Sequence, residues 1–167
     1  GNTGPGGDVS ITAGETTQAT MAGGQVRITG GLGSNTGPNG GDGGAVLITG
    51  GAGKGVGTPS QGGDIEVYAG SSEGGLGGKV TISTGFSSAT SSGDFDMLTA
   101  DAGADGVSGS ASLFTGTSGV GNSGSITIGS GDASGGKSGT ITVAVGTGDT
   151  GVGGDVVVSS GRSIAEL

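Results

Sequence analysis

A repeated apolar pattern near the end of the chain constrains its fold more than any other feature. Between Gly124 and Gly161, three short segments of the same design place Ile126, Ile141 and Val156 at equivalent positions, fifteen residues apart. Repetition at a fixed period is typical of repeat architectures, in which each unit covers its apolar face only against its neighbours. The sequence therefore predicts a repeat protein.

The same pattern extends over the whole chain as ten units. In each unit two inward positions alternate with outward residues, as on one face of a β-strand, and a third, smaller inward residue follows. Ala111 leads the seventh unit and is the smallest residue at the first inward position. The large residues of the expected core stack are Val9, Ile11, Val26, Ile28, Val46, Ile48, Ile65, Val67, Val80, Ile82, Phe95, Met97, Leu113, Ile126, Ile128, Ile141, Val143, Val156 and Val158.

The spacing of the units predicts an all-β fold, a β-solenoid of about ten coils with roughly 15 residues per coil. The coils are expected to be longer in the N-terminal third, where the extra residues fall in loops at 31–42 and 50–62. A thin Val/Ile core would fill the solenoid, and residues 1–167 would form one repeat domain. Glycines after the third inward residue, such as Gly14, Gly70 and Gly85, are expected to need a positive φ or to have another backbone close by.

Composition excludes several classes of function. The chain has 47 Gly and no Trp, and only 29% of its residues are hydrophobic, too few for a large globular core. The lack of Cys and His excludes disulfides, thiolate or imidazole metal ligands and a His-based triad. A net charge of −9 with five basic residues disfavours nucleic-acid binding. No apolar run approaches the roughly 20 residues of a membrane span, so membrane insertion is not expected.

No residue set indicates catalysis or a cofactor, but two binding alternatives stay open. Calcium prefers oxygen ligands close together in sequence, and the densest acidic cluster is Asp94, Asp96, Asp101 and Asp105. A solvated acidic turn is the simpler explanation of that cluster, and calcium binding is the alternative.

The second alternative is ice binding. Three successive units place a threonine at the same outward position, Thr12, Thr29 and Thr49, as flat threonine arrays on ice-binding solenoids do. The later units do not continue this column, and Arg27 and Glu66 interrupt the column beside it. An ice surface is therefore the partner only in this alternative.

Laid out in this way, the chain resembles β-solenoid (β-helix) repeat proteins. It is more loosely similar to the Gly/Ser/Thr-rich tandem-repeat proteins of diatoms and other microalgae, through units such as Ser-Gly-Ser-Ile-Thr-Ile-Gly-Ser-Gly at 123–131. The resemblance implies an extracellular or cell-surface structural role. Because the open end of a solenoid is an edge strand that recruits further strands, we expect a rigid rod or filament that extends by coil stacking, through self-association or further repeats. A calcium-stabilised adhesin repeat is another alternative. Because the sequence starts at Gly1, we expect it to be a segment of a longer repeat protein.

Overall fold

The computed structural model describes residues 4–57 and 60–163 and contains neither a helix nor a strand within them. The predicted all-β fold, with its β-solenoid or β-helix, is therefore wrong for this part of the chain. No side chain in the described residues is buried, so the thin Val/Ile core is also missing. No helix able to cross a membrane occurs in that part of the chain.

The repeat nevertheless organises the path of the chain. We call the ten segments that carry the three inward positions the arms, and they are 9–13, 26–30, 46–50, 65–69, 80–84, 95–99, 111–115, 126–130, 141–145 and 156–160. Each pair of consecutive arms is separated by a bend, and no arm contains one. The bends lie at 18–20, 37–39, 56–57, 73–75, 88–90, 104–105, 119–121, 134–136 and 149–152.

Hydrogen bonds between glycines close the first five loops. The amide of Gly24, just before the second arm, donates to the carbonyl of Gly14, just after the first arm, over 2.8 Å. The equivalent bonds from Gly44, Gly63, Gly78 and Gly93 to Gly31, Gly51, Gly70 and Gly85 measure 2.8, 2.8, 2.8 and 3.1 Å. We call each such pair a closing pair.

In the first five loops, the closing pairs explain why no solenoid coil forms. In a solenoid coil, the end of one strand and the start of the next are separated by the length of a strand, about 17 Å for five residues. Here those two points are joined by a hydrogen bond, so the segment between the arms returns to its own start. The arms are consequently not brought into the strand-to-strand pairing that a β-sheet requires.

The glycines that accept these bonds have ordinary backbone angles. Among the described glycines only Gly151 has a positive φ, at 78°. The amide of the next closing glycine does lie against Gly14, Gly70 and Gly85. A Cβ on any of these three residues would nevertheless meet no atom within 4 Å, so neither of the two reasons expected for glycine applies at these positions.

The length of the arms is constant, whereas the length of the loops is not. From Gly24 to Gly31, Gly44 to Gly51, Gly63 to Gly70 and Gly78 to Gly85 the interval is seven residues in every case. The closed loops differ by up to five residues, since the pair Gly70–Gly78 is eight apart and the pair Gly31–Gly44 thirteen. Lengthening a flexible loop from eight to thirteen residues costs only about 0.4 kcal/mol in closure entropy. The longer N-terminal units are therefore tolerated, with their extra residues in the loops.

At several bends a side-chain oxygen accepts a hydrogen bond from a backbone amide. Asn35 Oδ1 accepts from the amide of Gly37 at 2.9 Å, Ser72 Oγ from Gly75 at 3.0 Å, and Ser118 Oγ from Gly121 at 3.0 Å. Short polar side chains commonly replace a backbone acceptor in this way at turns. Part of the Ser, Thr and Asn content of the chain thus stabilises its loops.

The chain divides into two units, Gly1–Ser83 and Thr84–Leu167. The first contains the five arms from 9–13 to 80–84, of which the last spans the boundary. The second contains the five arms from 95–99 onward and the more regular loops.

Candidate interaction surface

The arms form a graded apolar surface and not a core. The large residues at the first inward position of the inner arms are 49–55% exposed, and those at the second are 69–78% exposed. The large apolar residues at outward positions, Leu47, Tyr68, Leu98 and Phe114, are at least 80% exposed. Apart from Val9 and Val158, the residues predicted for the core stack are thus less exposed than the outward apolar side chains, yet every one of them remains open to solvent.

The inward residues at the two ends of the repeat are the most exposed. Val9, in the first arm, is 90% exposed, whereas Val26, at the same position of the second arm, is about half covered. Ile126 and Ile141 are covered to the same degree, although no closing pair precedes them in the described residues. Val158, in the last arm, is 92% exposed. Partial shielding therefore requires a preceding repeat unit and does not require a closing pair.

A repeated contact brings the end of one arm to the start of the next. A Cβ built on Gly24 would lie 3.3 Å from Ala13 Cβ, and one on Gly124 would lie 3.3 Å from Thr115 Cβ. The same relation holds for Gly78 with Ala69 and for Gly93, Gly109, Gly139 and Gly154 with Thr84, Thr99, Ser130 and Val145. In both units the third inward residue thus lies close to the glycine that stands two places before the next arm.

The two backbones approach each other still more closely at two of these contacts, where the third inward residue is itself glycine. A Cβ on Gly30 would collide with the carbonyl of Gly44, and a Cβ on Gly50 would collide with the carbonyl of Gly63. The adjacent Gly31 and Gly51 have open space at the same point. These two loops, the longest of the chain, therefore depend on glycine at 30 and 50.

The glycine before each arm was missed by the sequence analysis, although the sequence contains a clear signal for it. A glycine stands two places before the first inward residue in all ten units, at Gly7, Gly24, Gly44, Gly63, Gly78, Gly93, Gly109, Gly124, Gly139 and Gly154. No other position of the repeat is invariant to this degree. Five of these glycines, from Gly24 to Gly93, donate the closing hydrogen bonds.

An apolar depression marks the place where the repeat departs from its pattern. It encloses about 430 Å³ and is lined by Met97, Thr99, Ser110, Ala111, Ser112 and Leu113. At its centre Ala111 occupies the first inward position, which holds a larger side chain in the other units. The missing side-chain volume accounts for the depression between these two arms.

The residues of the two binding alternatives are exposed. Asp94, Asp96, Asp101 and Asp105 do not form a metal-binding group, since no three or more acidic side chains in the described part of the chain come together in a suitable arrangement. Thr12, Thr29 and Thr49 each face solvent next to the last residue of the first three arms. Calcium and ice binding stay predictions from the sequence.

Electrostatics within the arms are simple. The hydroxyl of Tyr68 donates to Glu66 Oε1 at 2.9 Å, and this pair links two outward residues of one arm. This hydrogen bond orients one exposed carboxylate, and it forms neither a cleft nor a pair of groups suited to acid–base catalysis.

Comparison with protein-family models, with curated proteins and with solved structures found no similar protein.

Proposed function

We propose that this chain is a non-enzymatic structural repeat protein, extracellular or at the cell surface, that acts by associating with further copies or repeats of itself. The observation that carries the proposal is the uncovered apolar surface of the arms. Large apolar side chains recur on all ten arms, and none of them is buried in the described residues. Contiguous exposed apolar surface is typical of contact with another chain.

The size of the exposed surface supports an assembly of many contacts. The chain exposes 16646 Å². A folded protein of its mass, 15.1 kDa, would expose about 7100 Å², and an unfolded chain about 22000 Å². A standard interface covers about 800 Å² per partner. A single dimer contact would therefore remove less than a tenth of the excess, which favours a multi-contact assembly such as a filament.

The repeat gives such an assembly a regular spacing. The seven-residue interval between closing glycines repeats the same apolar face on successive arms, so equivalent contacts can form many times. The variable length of the first five loops does not disturb this spacing, because a hydrogen bond joins the first and last residues of each loop. This division between constant arms and adaptable loops suits a structural role.

Light scattering and negative-stain electron microscopy of the purified chain test the proposal. We expect scattering to rise steeply with concentration between about 1 µM and 1 mM, together with regular assemblies in the micrographs. A chain that stays monomeric over the whole range would contradict it.

A further inference from the structure

Charge is distributed unevenly along the chain. Residues 106–148 contain one acidic and one basic side chain, Asp132 and Lys137, so this segment is neutral. The rest of the chain has thirteen acidic and four basic residues and carries the whole net charge of −9. Two copies of the chain therefore repel each other overall, and residues 106–148 contribute nothing to this repulsion. Residues 16–63, with Arg27, Asp42 and Lys54, carry a net charge of +1, so the acidic surplus lies in the remaining parts of the chain.

The neutral segment also contains three consecutive arms without any charged residue. These are 111–115, 126–130 and 141–145, all within the second unit. Both charges of the segment lie in the loop between the last two of these arms, not on an arm. The large apolar side chains of the three arms are all exposed, and they are Leu113, Phe114, Ile126, Ile128, Ile141, Val143 and Val145. One wall of the apolar depression, formed by Ala111 and Leu113, belongs to the same surface.

We propose that these three uncharged arms are the surface through which two copies of the chain first associate, each contributing its own residues 111–145. This inference rests on the proposed function and names the place where self-association starts. A second copy is the occupant that the charge pattern favours, because two chains of net charge −9 can meet along these three consecutive uncharged arms without bringing like charges together. Interface cores are depleted of charge in the same way.

The area available matches a stable contact. Full burial of a Val, Leu, Ile or Phe side chain removes about 60–120 Å² of apolar surface from water. Seven such side chains, about two-thirds exposed on average, offer about 300–500 Å² per copy. A standard interface contains about 450 Å² of apolar surface on each side.

The local sequence also favours pairing between identical segments. Residues 125–130 and 140–145 are rich in β-branched side chains, uncharged and free of proline. Short segments of this composition associate readily with copies of themselves. The arms of the first unit with the same apolar pattern mostly carry a charge on or beside them, as with Asp8, Arg27, Glu66 and Lys79.

Sedimentation equilibrium of the full chain and of two matched variants tests the proposal. Ile128→Glu and Ile11→Glu change the same residue type at the same arm position, and the wild-type side chains are 73% and 72% exposed. Both variants bring the net charge to −10, and neither removes a buried group. We expect Ile128→Glu to raise the dissociation constant at least tenfold and Ile11→Glu to change it less than threefold.

Each outcome decides the matter. If the wild type associates and the two variants weaken association equally, self-association stands and the assignment to residues 111–145 falls. If the wild type stays monomeric to about 1 mM, both the proposed function and this inference fail.

Because the chain has no cysteine, a single spin label provides a second measurement. The variant Thr127→Cys places a nitroxide within the uncharged arm 126–130, and Ser10→Cys places one at the equivalent point of the first arm. Above the dissociation constant we expect dipolar broadening of the spectrum for Thr127→Cys and none for Ser10→Cys. Equal broadening, or none in either, would overturn the proposal.

Discussion

Substitution of Gly50 by alanine tests the role of the closing pairs most sharply. The new Cβ would collide with the carbonyl oxygen of Gly63 and lie 3.0 Å from its carbonyl carbon, so the two limbs of the loop must separate. The bond from the Gly63 amide to the Gly51 carbonyl, 2.8 Å long, would then be lost. A hydrogen bond of this kind contributes about 1 kcal/mol net, equivalent to about a fivefold protection of the amide from exchange.

The assay is amide hydrogen exchange at Gly63, followed by nuclear magnetic resonance. We expect about fivefold protection in the wild type and none in Gly50→Ala. The neighbouring variant Gly51→Ala is the control, because a Cβ there meets no atom within 4 Å and its φ is not in the left-handed region. It should keep the protection, or increase it slightly through the reduced entropy of the open chain. Equal protection in Gly50→Ala and the wild type would refute the assignment of the closing pair.

Two further predictions concern the charge and the missing core. Raising the NaCl concentration from 0.01 to 0.5 M should lower the dissociation constant of self-association at least tenfold. The reason is that the repulsion between chains of charge −9 is screened as the Debye length falls from about 30 Å to under 10 Å. Weaker association at high salt in sedimentation experiments would contradict this. In a dilute, monomeric sample, differential scanning calorimetry should show no cooperative heat absorption, because no side chain in the described residues is buried. A folded protein of this length would absorb about 115 kcal/mol near 60 °C. A sharp transition of that size would show that the single chain has a packed core.

The sequence was sufficient to place the repeat units. Every arm deduced from the apolar alternation is free of bends, and every loop between arms contains one. The extra residues near Leu32 and Val56 lie in loops, as their position between the units predicted. Period-two alternation identifies such segments because it fixes which side chains share a face.

The sequence was not sufficient to decide how the arms pair. Alternation at Ile126 and Ile128, for example, specifies a face, but it does not specify which neighbouring segment that face meets. Register is weakly determined in glycine-rich strands, so local closure between glycines such as Gly14 and Gly24 competes with stacking of coils. The predicted solenoid was wrong because the apolar alternation contains no information on these glycine pairs, at which the first five loops close.

The residues of the candidate surface could be predicted from the sequence, but their exposure to solvent could not. The residues assigned to a core, such as Ile141 and Val156, are the repeating apolar side chains of the arms, and they stay half exposed because each arm is covered only at its ends. The run of three uncharged arms follows from the positions of the charged residues alone, but it extends over several units and is not a property of any single one. No feature of the sequence reports the depression at Ala111 except the small size of that residue.

The central claim is that apolar arms open to solvent in the single chain become covered when copies associate. Relaxation of methyl resonances by a soluble gadolinium chelate tests it directly, in one dilute sample and one at about 1 mM. In the dilute sample we expect the methyl groups of Ile128 and Val143 to be strongly relaxed, and in the concentrated sample we expect their relaxation to fall severalfold. Equal relaxation in the two samples, or protection already present in the dilute one, would contradict the account.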